Sequence, residues 1–267
     1  MACAWHGVSW AAFESVALMN LGSITTIGLL IVLTGIFSYL VLLFVIHRFT
    51  YRTWIFDFII GLGITVTLIG WTFGGNIVAA LITVILGVAW FPVTRHELKL
   101  TGSKHLKLRV GDHLPQLSLM TTESRPITEQ DLIASAPTLL VLYRGWWCPS
   151  SKSQLGEIVR DYESLSEAGL TVFAASVDEP SEAAQLQQLV GDKITILCNV
   201  PESLLDEIGV RDQRGAPWYD RILFGAKKQD ISMPSALVID TSGKIVFIYR
   251  STRVDDRALP ADIIASI

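Results

Sequence analysis

Cysteine is scarce in this 267-residue chain, and the few cysteines present stand far apart. Only Cys3, Cys148 and Cys198 occur, an odd set with no paired spacing, which excludes a disulfide framework and a cysteine-based zinc site. No cofactor is expected. Charge is also in short supply. Asp, Glu, Lys and Arg make up 17% of the residues against a hydrophobic share of 51%, and the mean hydropathy of +0.46 is high for an ordinary soluble globule. A net charge of −4 offers no basic excess, so nucleic acid is not an expected partner. Thiols without partners fit a domain that faces the reducing cytosol.

The missing charge is concentrated in one region. Between Ile24 and Thr94 only Arg48, Arg52 and Asp57 are charged. Ile24–Ile46 is an uncharged segment of about 23 residues, enough for a helix across a bilayer core. Phe58–Thr94 holds no charge over about 37 residues, and as one helix would reach about 55 Å, so it must fold back. Gly74-Gly75-Asn76 is the natural break, being turn chemistry. The sequence therefore predicts an α-helical transmembrane anchor over residues 1–94, with spans at about 24–46, 55–71 and 76–93. Trp71 and Phe73 mark one interface; Trp54, Trp90 and Phe91 mark the other. Gly61, Gly63, Gly70, Gly74 and Gly75 mark either close helix packing or a cavity. Residues 1–20, with Trp5, Trp10 and Phe13, read as a short interfacial helix. Basic residues fill the first loop (His47, Arg48, Arg52) and the linker 95–107 and its end (Arg95, Lys99, Lys104, Lys107, Arg109). Three spans put both basic segments on one side, which the positive-inside rule makes cytoplasmic. The expected location is a membrane, the bacterial inner membrane, with the C-terminal domain in the cytoplasm and the lipid bilayer as a partner.

After Lys107 the pattern changes to strands alternating with amphipathic helices. Expected strands are Thr138–Tyr143, Leu170–Ser176, Ile194–Cys198 and a hairpin, Ala236–Asp240 with Lys244–Tyr249; expected helices are Ser151–Ala168, Glu182–Val190, Ser203–Ile208 and Ala261–Ile267. This alternation predicts an α/β domain over 108–267 with a central mixed sheet, mostly parallel and closed by one antiparallel hairpin.

Four motifs in this domain point to a family. Gly111-Asp112-His113-Leu114-Pro115 lies at its start, Tyr143-Arg144-Gly145-Trp146-Trp147-Cys148-Pro149 between strand and helix, Ser176-Val177-Asp178-Glu179-Pro180 after the next strand, and Met233-Pro234 before the hairpin. Together they resemble the redoxin branch of the thioredoxin superfamily, the alkyl hydroperoxide reductase/thiol-specific antioxidant type, and its bacterial peroxiredoxin-like members. The resemblance implies a thioredoxin-like fold, a peroxide or disulfide substrate and an external thiol reductant; it is also compatible with a homodimer. Cys148 is then the nucleophile, set at the positive end of a helix that opens with Pro149. Arg144, Trp147 and Ser151 flank it, and Pro234 takes the place of the family's cis-proline.

The departures are as specific as the matches. Ser151 stands where a thioredoxin has its second cysteine, so no disulfide forms within this turn. Val141 and Gly145 occupy the positions of the peroxiredoxin proline and hydroxyl residue, and Pro234 that of the peroxide-polarising arginine, a role open to Arg144. Cys198, at the end of a strand in the same sheet, is either the resolving thiol or a small core residue. Cys3 falls across the membrane and takes no part. The long aromatic stretch Arg211–Asp230 covers the site, rests on headgroups or is a packed insertion. The expected function is that of a membrane-anchored one-cysteine peroxiredoxin-like peroxidase; the alternatives are a monothiol disulfide-exchange protein and a non-catalytic redoxin that senses or binds.

Overall fold

Thr72 ends one apolar helix and Ile77 begins the next, and the four residues between them reverse the chain. Gly74 there has φ +89°, a conformation few side chains tolerate. Asn76 then caps the following helix, its Oδ1 accepting the Val78 and Ala79 amides at 2.9 and 3.2 Å. The Gly-Gly-Asn break stands where the sequence predicts it. The computed structural model describes residues 10–46, 54–92, 94, 105–227, 229–254 and 256–267. Cys3, His47, Arg48, Arg52 and linker residues 95–104 lie outside the described residues, as do residues 1–9 of the expected interfacial helix.

Two units make up the chain, residues 1–41 with 52–97 and residues 42–51 with 98–267. The first is helical: α1 (Trp10–Phe44), α2 (Trp54–Thr72) and α3 (Ile77–Pro92). Two stretches, Ile24–Leu42 in α1 and Trp54–Thr72, are long and apolar enough to cross a membrane by length and composition. At 16 residues α3 is shorter, about 24 Å, so the third expected span falls short of the other two. Instead of a separate interfacial segment and a span from Ile24, α1 runs without interruption from Trp10, through Leu-rich sequence free of proline. Small residues set the packing. A Cβ on Gly63 would fall 2.8 Å from the Gly28 carbonyl oxygen, and one on Gly70 would fall 2.9 Å from the Thr25 nitrogen. Gly61 faces open space, so that glycine has no packing role.

The second unit is a sandwich of helices about a seven-stranded mixed sheet. Its elements are β1 (Ser118–Thr121), β2 (Pro126–Thr128), α4 (Glu129–Ala134), β3 (Thr138–Leu142), α5 (Pro149–Arg160), α6 (Tyr162–Glu167), β4 (Thr171–Ala175), α7 (Pro180–Val190), β5 (Thr195–Cys198), α8 (Glu202–Ile208), β6 (Arg211–Asp212), α9 (Trp218–Phe224), β7 (Ile231–Ser232), β8 (Ser235–Ile239), β9 (Ile245–Arg250) and α10 (Pro260–Ile264). The strand order is β2-β1-β5-β4-β3-β8-β9. β3, β4 and β5 run parallel, and the remaining pairings are antiparallel. Alternation along β3 builds both cores. Leu139 and Val141 pack under α5 and α7 with Leu155 and Leu186, while Leu140 and Leu142 pack on the other face with Leu132, Leu204 and Leu205. The single helix expected over 151–168 is broken at Asp161 into α5 and α6.

Candidate active site

The centre of the sheet delivers a turn. β3 continues for one residue past its end, the Tyr143 amide donating to the Ala175 carbonyl at 3.0 Å. The chain then leaves the sheet through Arg144–Cys148 and enters α5 at Pro149, with Cys148 as the N-cap residue. Proline at the first helical position suits the fixed φ it brings. The Ser151 and Lys152 amides donate to the Cys148 carbonyl at 3.0 and 3.1 Å. Cys148 thus sits at the positive end of α5, at the C-terminal edge of parallel strands.

Asp178 holds this turn in place. Its Oδ2 accepts the Trp146 amide at 2.7 Å and the Ser176 hydroxyl at 2.7 Å. Burial raises the Asp178 carboxyl to about 6, against the opposing effect of those two hydrogen bonds. Gly145 is needed for a different reason. A Cβ there would lie 3.0 Å from two carbons of the Trp147 indole, so the ring closes directly over the turn backbone.

A second element covers the thiol. Cys148 is 2% exposed, packed with Trp147, Ala216, Ala226 and Ile231, and Phe224 adds to the cluster. Ala216, Phe224, Ala226 and Ile231 belong to the stretch between α8 and β8, so the Arg211–Asp230 segment is a cover. At its base β6 pairs with β7, and Arg211 binds Glu202 and Asp206 at 2.5 Å and Asp230 at 2.6 Å. Beneath it Arg144 is buried, its guanidinium carbon 5.3 Å from the centre of the Trp147 ring. Arg144 Nε and Nη2 have no hydrogen-bond partner, nor has the Oγ of buried Ser151. Asp212 and Asp220, from the cover, are buried as well and feel the charges of Arg144 and Arg214. Burial raises both carboxyls, and the charge of Arg144 pulls each back down. Orphaned donors four residues before and three residues after a buried thiol are what a polar ligand would satisfy.

Residues 110–248, more than half of the chain, match the AhpC/TSA family. The chain belongs to the AhpC/TSA family. Solved structures agree on the fold. A thiol peroxidase from Chromobacterium violaceum is 18% identical, the match covering 62% of this chain and 88% of that one at a TM-score of 0.50. Reduced Prx3 from Vibrio vulnificus in complex with hydrogen peroxide is 16% identical, covering 60% and 98%, also at 0.50. Both are thioredoxin-like α/β proteins, as is the second unit here. No curated protein matches the chain.

In this AhpC/TSA chain Arg144, Trp147 and Cys148 lie in one turn, and Ser151 lies in the first turn of α5. Pro234 differs from expectation. The Met233–Pro234 bond is trans, and the one cis peptide among the described residues is Ala136–Pro137. The Pro234 carbonyl accepts the Ser251 amide at 2.8 Å, which extends the β8–β9 pairing. Cys198 lies elsewhere, fully buried in the core under α5 and α7 and not in the Cys148 cluster. Burial and the nearby Asp178 carboxylate push its thiol up to about 12. Both described cysteines are free. Sequence reasoning missed Asp178, Asp212 and Asp220. The first was legible as a Ser-x-Asp at a strand end; nothing local in the sequence sets the other two apart.

Proposed function

We propose that the chain is a membrane-anchored, one-cysteine thiol peroxidase. The Cys148 sulfur attacks one oxygen of a hydroperoxide. The S–O bond forms as the O–O bond breaks, the departing oxygen leaves protonated as alcohol or water, and Cys148 becomes a sulfenic acid. An external thiol condenses with it, releasing water and forming a mixed disulfide. A second thiol then displaces Cys148 and leaves with the first as a disulfide. Arg144 and the Ser151 hydroxyl offer the donors that would hold the peroxide oxygens, and Trp147 positions the guanidinium. The observation that carries the reading is Cys148 at the N-cap of α5 with unpartnered, buried Arg144 donors in the same turn. With Cys198 in another core cluster, the second thiol comes from outside the chain, and Cys198 is a structural residue.

The anchor is α1–α3, with α3 as a short third span, and the basic residues of the first loop and of the linker after the last span support a cytoplasmic domain. A specific observation also favours a second reading, a redox sensor: the thiol is 2% exposed beneath its cover. Peroxide consumption by the purified full chain with dithiothreitol separates the two. A peroxidase turns over repeatedly, and Cys148→Ala drops the rate to that of buffer. A sensor consumes about one equivalent and stops.

A further inference from the structure

The cover over Cys148 buries two carboxylates along with Ala226 and Ile231 and leaves a second set of basic and apolar side chains exposed. Asp212 and Asp220 are buried, and Asp230 is held by Arg211. Arg214 and Arg221 stay exposed, on a cavity of about 200 Å³ that they share with Gln213, Gln229 and the Asp230 carboxylate. α9 adds an apolar surface. It directs Asp220 and Phe224 inward and leaves Trp218, Ile222 and Leu223 exposed by 66, 72 and 69%. An indole and two large aliphatic side chains outward on a seven-residue helix suit water poorly. Apolar residues and tryptophan beside arginine are the composition of a segment that lies in a membrane–water interface.

We propose that residues 211–231 dock on the membrane surface. Trp218, Ile222 and Leu223 enter the boundary between headgroups and acyl chains. Arg214 and Arg221, with the side-chain amides of Gln213 and Gln229, take the phosphate of an anionic phospholipid. This rests on the anchored reading, because the anchor supplies proximity: the dozen residues between Pro92 and His105 reach at most roughly 45 Å, so the bilayer is always near. Phe224 and Ala226 of the same segment pack on Trp147 and Cys148, so docking ties the cover of the thiol to the lipid surface.

Hydrogen–deuterium exchange of the full chain, at one chain per nanodisc, tests the proposal. Amides of α9 should exchange about tenfold more slowly in discs containing phosphatidylglycerol than in amphipol, which offers no bilayer surface. Phosphatidylcholine alone should give a smaller effect. Ile222→Glu with Leu223→Glu, and separately Arg214→Gln with Arg221→Gln, should remove the protection while β3 and β4 exchange as before. Equal exchange in discs and amphipol overturns docking and leaves the anchor intact. Protection that appears only with two chains per disc overturns it in favour of a second copy of the chain as occupant. A chain that discs fail to retain overturns the anchored reading and docking with it.

Discussion

The two units of this chain have opposite interiors. In α2 and α3 the residues turned inward include Gly63, Thr67, Gly70, Thr83 and Gly87, while Phe58, Ile69, Ile85 and Val88 are more than half exposed. In the α/β unit large apolar side chains such as Leu139, Leu140, Leu155 and Leu186 are sealed inside. The hydrophobic effect explains the second arrangement and not the first. The helical unit does bury Tyr39, Phe56 and Trp90 together, but its many exposed aliphatic side chains are what the proposed bilayer anchor would present to lipid. In such an anchor close backbone approach and side-chain hydrogen bonds hold helices together. Thr67 Oγ1 accordingly donates to Thr83 Oγ1 at 3.4 Å in the middle of the helical unit.

The sharpest way to break that contrast is to truncate one aliphatic side chain in each unit. Leu140→Ala should destabilise the α/β unit by about 2–5 kcal/mol in chemical denaturation. Ile85→Ala, in bilayer-like detergent, should change stability by less than about 0.5 kcal/mol. A comparable loss at Ile85 would mean that α3 faces protein or water. Next in size is the buried carboxyl of the α/β unit. Asp178 has its folded-state value raised to about 6 from 3.8, so the native protein holds this proton more tightly than the unfolded chain does. Its stabilising contribution is complete below about pH 4 and is lost as pH rises through about 6, an effect of about 3 kcal/mol in order of magnitude. Stability of the wild type relative to Asp178→Asn should therefore decline over that window, and a pH-independent difference would refute the assignment. Smallest is Gly63→Val. Its branched side chain would push α2 from the Gly28 backbone and cost about 1–3 kcal/mol, read as a lower thermal midpoint in detergent.

Much of the α/β unit was legible because strands such as Thr138–Leu142 are uninterrupted apolar runs bounded by helical periodicity. The Gly-Gly-Asn reversal was legible for its turn chemistry. The β1–β2 hairpin and α4 were not, since strands of three or four residues with one apolar face leave too short a pattern. Nor was the α9 cover. Its structure depends on Arg211 gathering three carboxylates from α8 and the segment before β8, a tertiary effect with no local period. Within the site, Arg144 and Cys148 could be found from the strand–turn–helix context, whereas the influence of Arg144 on Asp212 and Asp220 joins residues about 70 positions apart in sequence. The trans Pro234 was beyond reach as well, because a Met-Pro dipeptide does not encode its isomer.

The central claim is that Cys148, and not Cys198, is the atom that meets peroxide. Brief treatment of the reduced full chain with hydrogen peroxide, in the presence of a cyclic dione that captures sulfenic acids, tests it by peptide mass spectrometry. The account predicts the adduct on Cys148, none on Cys198, and a marked loss of Cys148 adduct in Arg144→Gln. Labelling of Cys198 with Cys148 unmodified would contradict it.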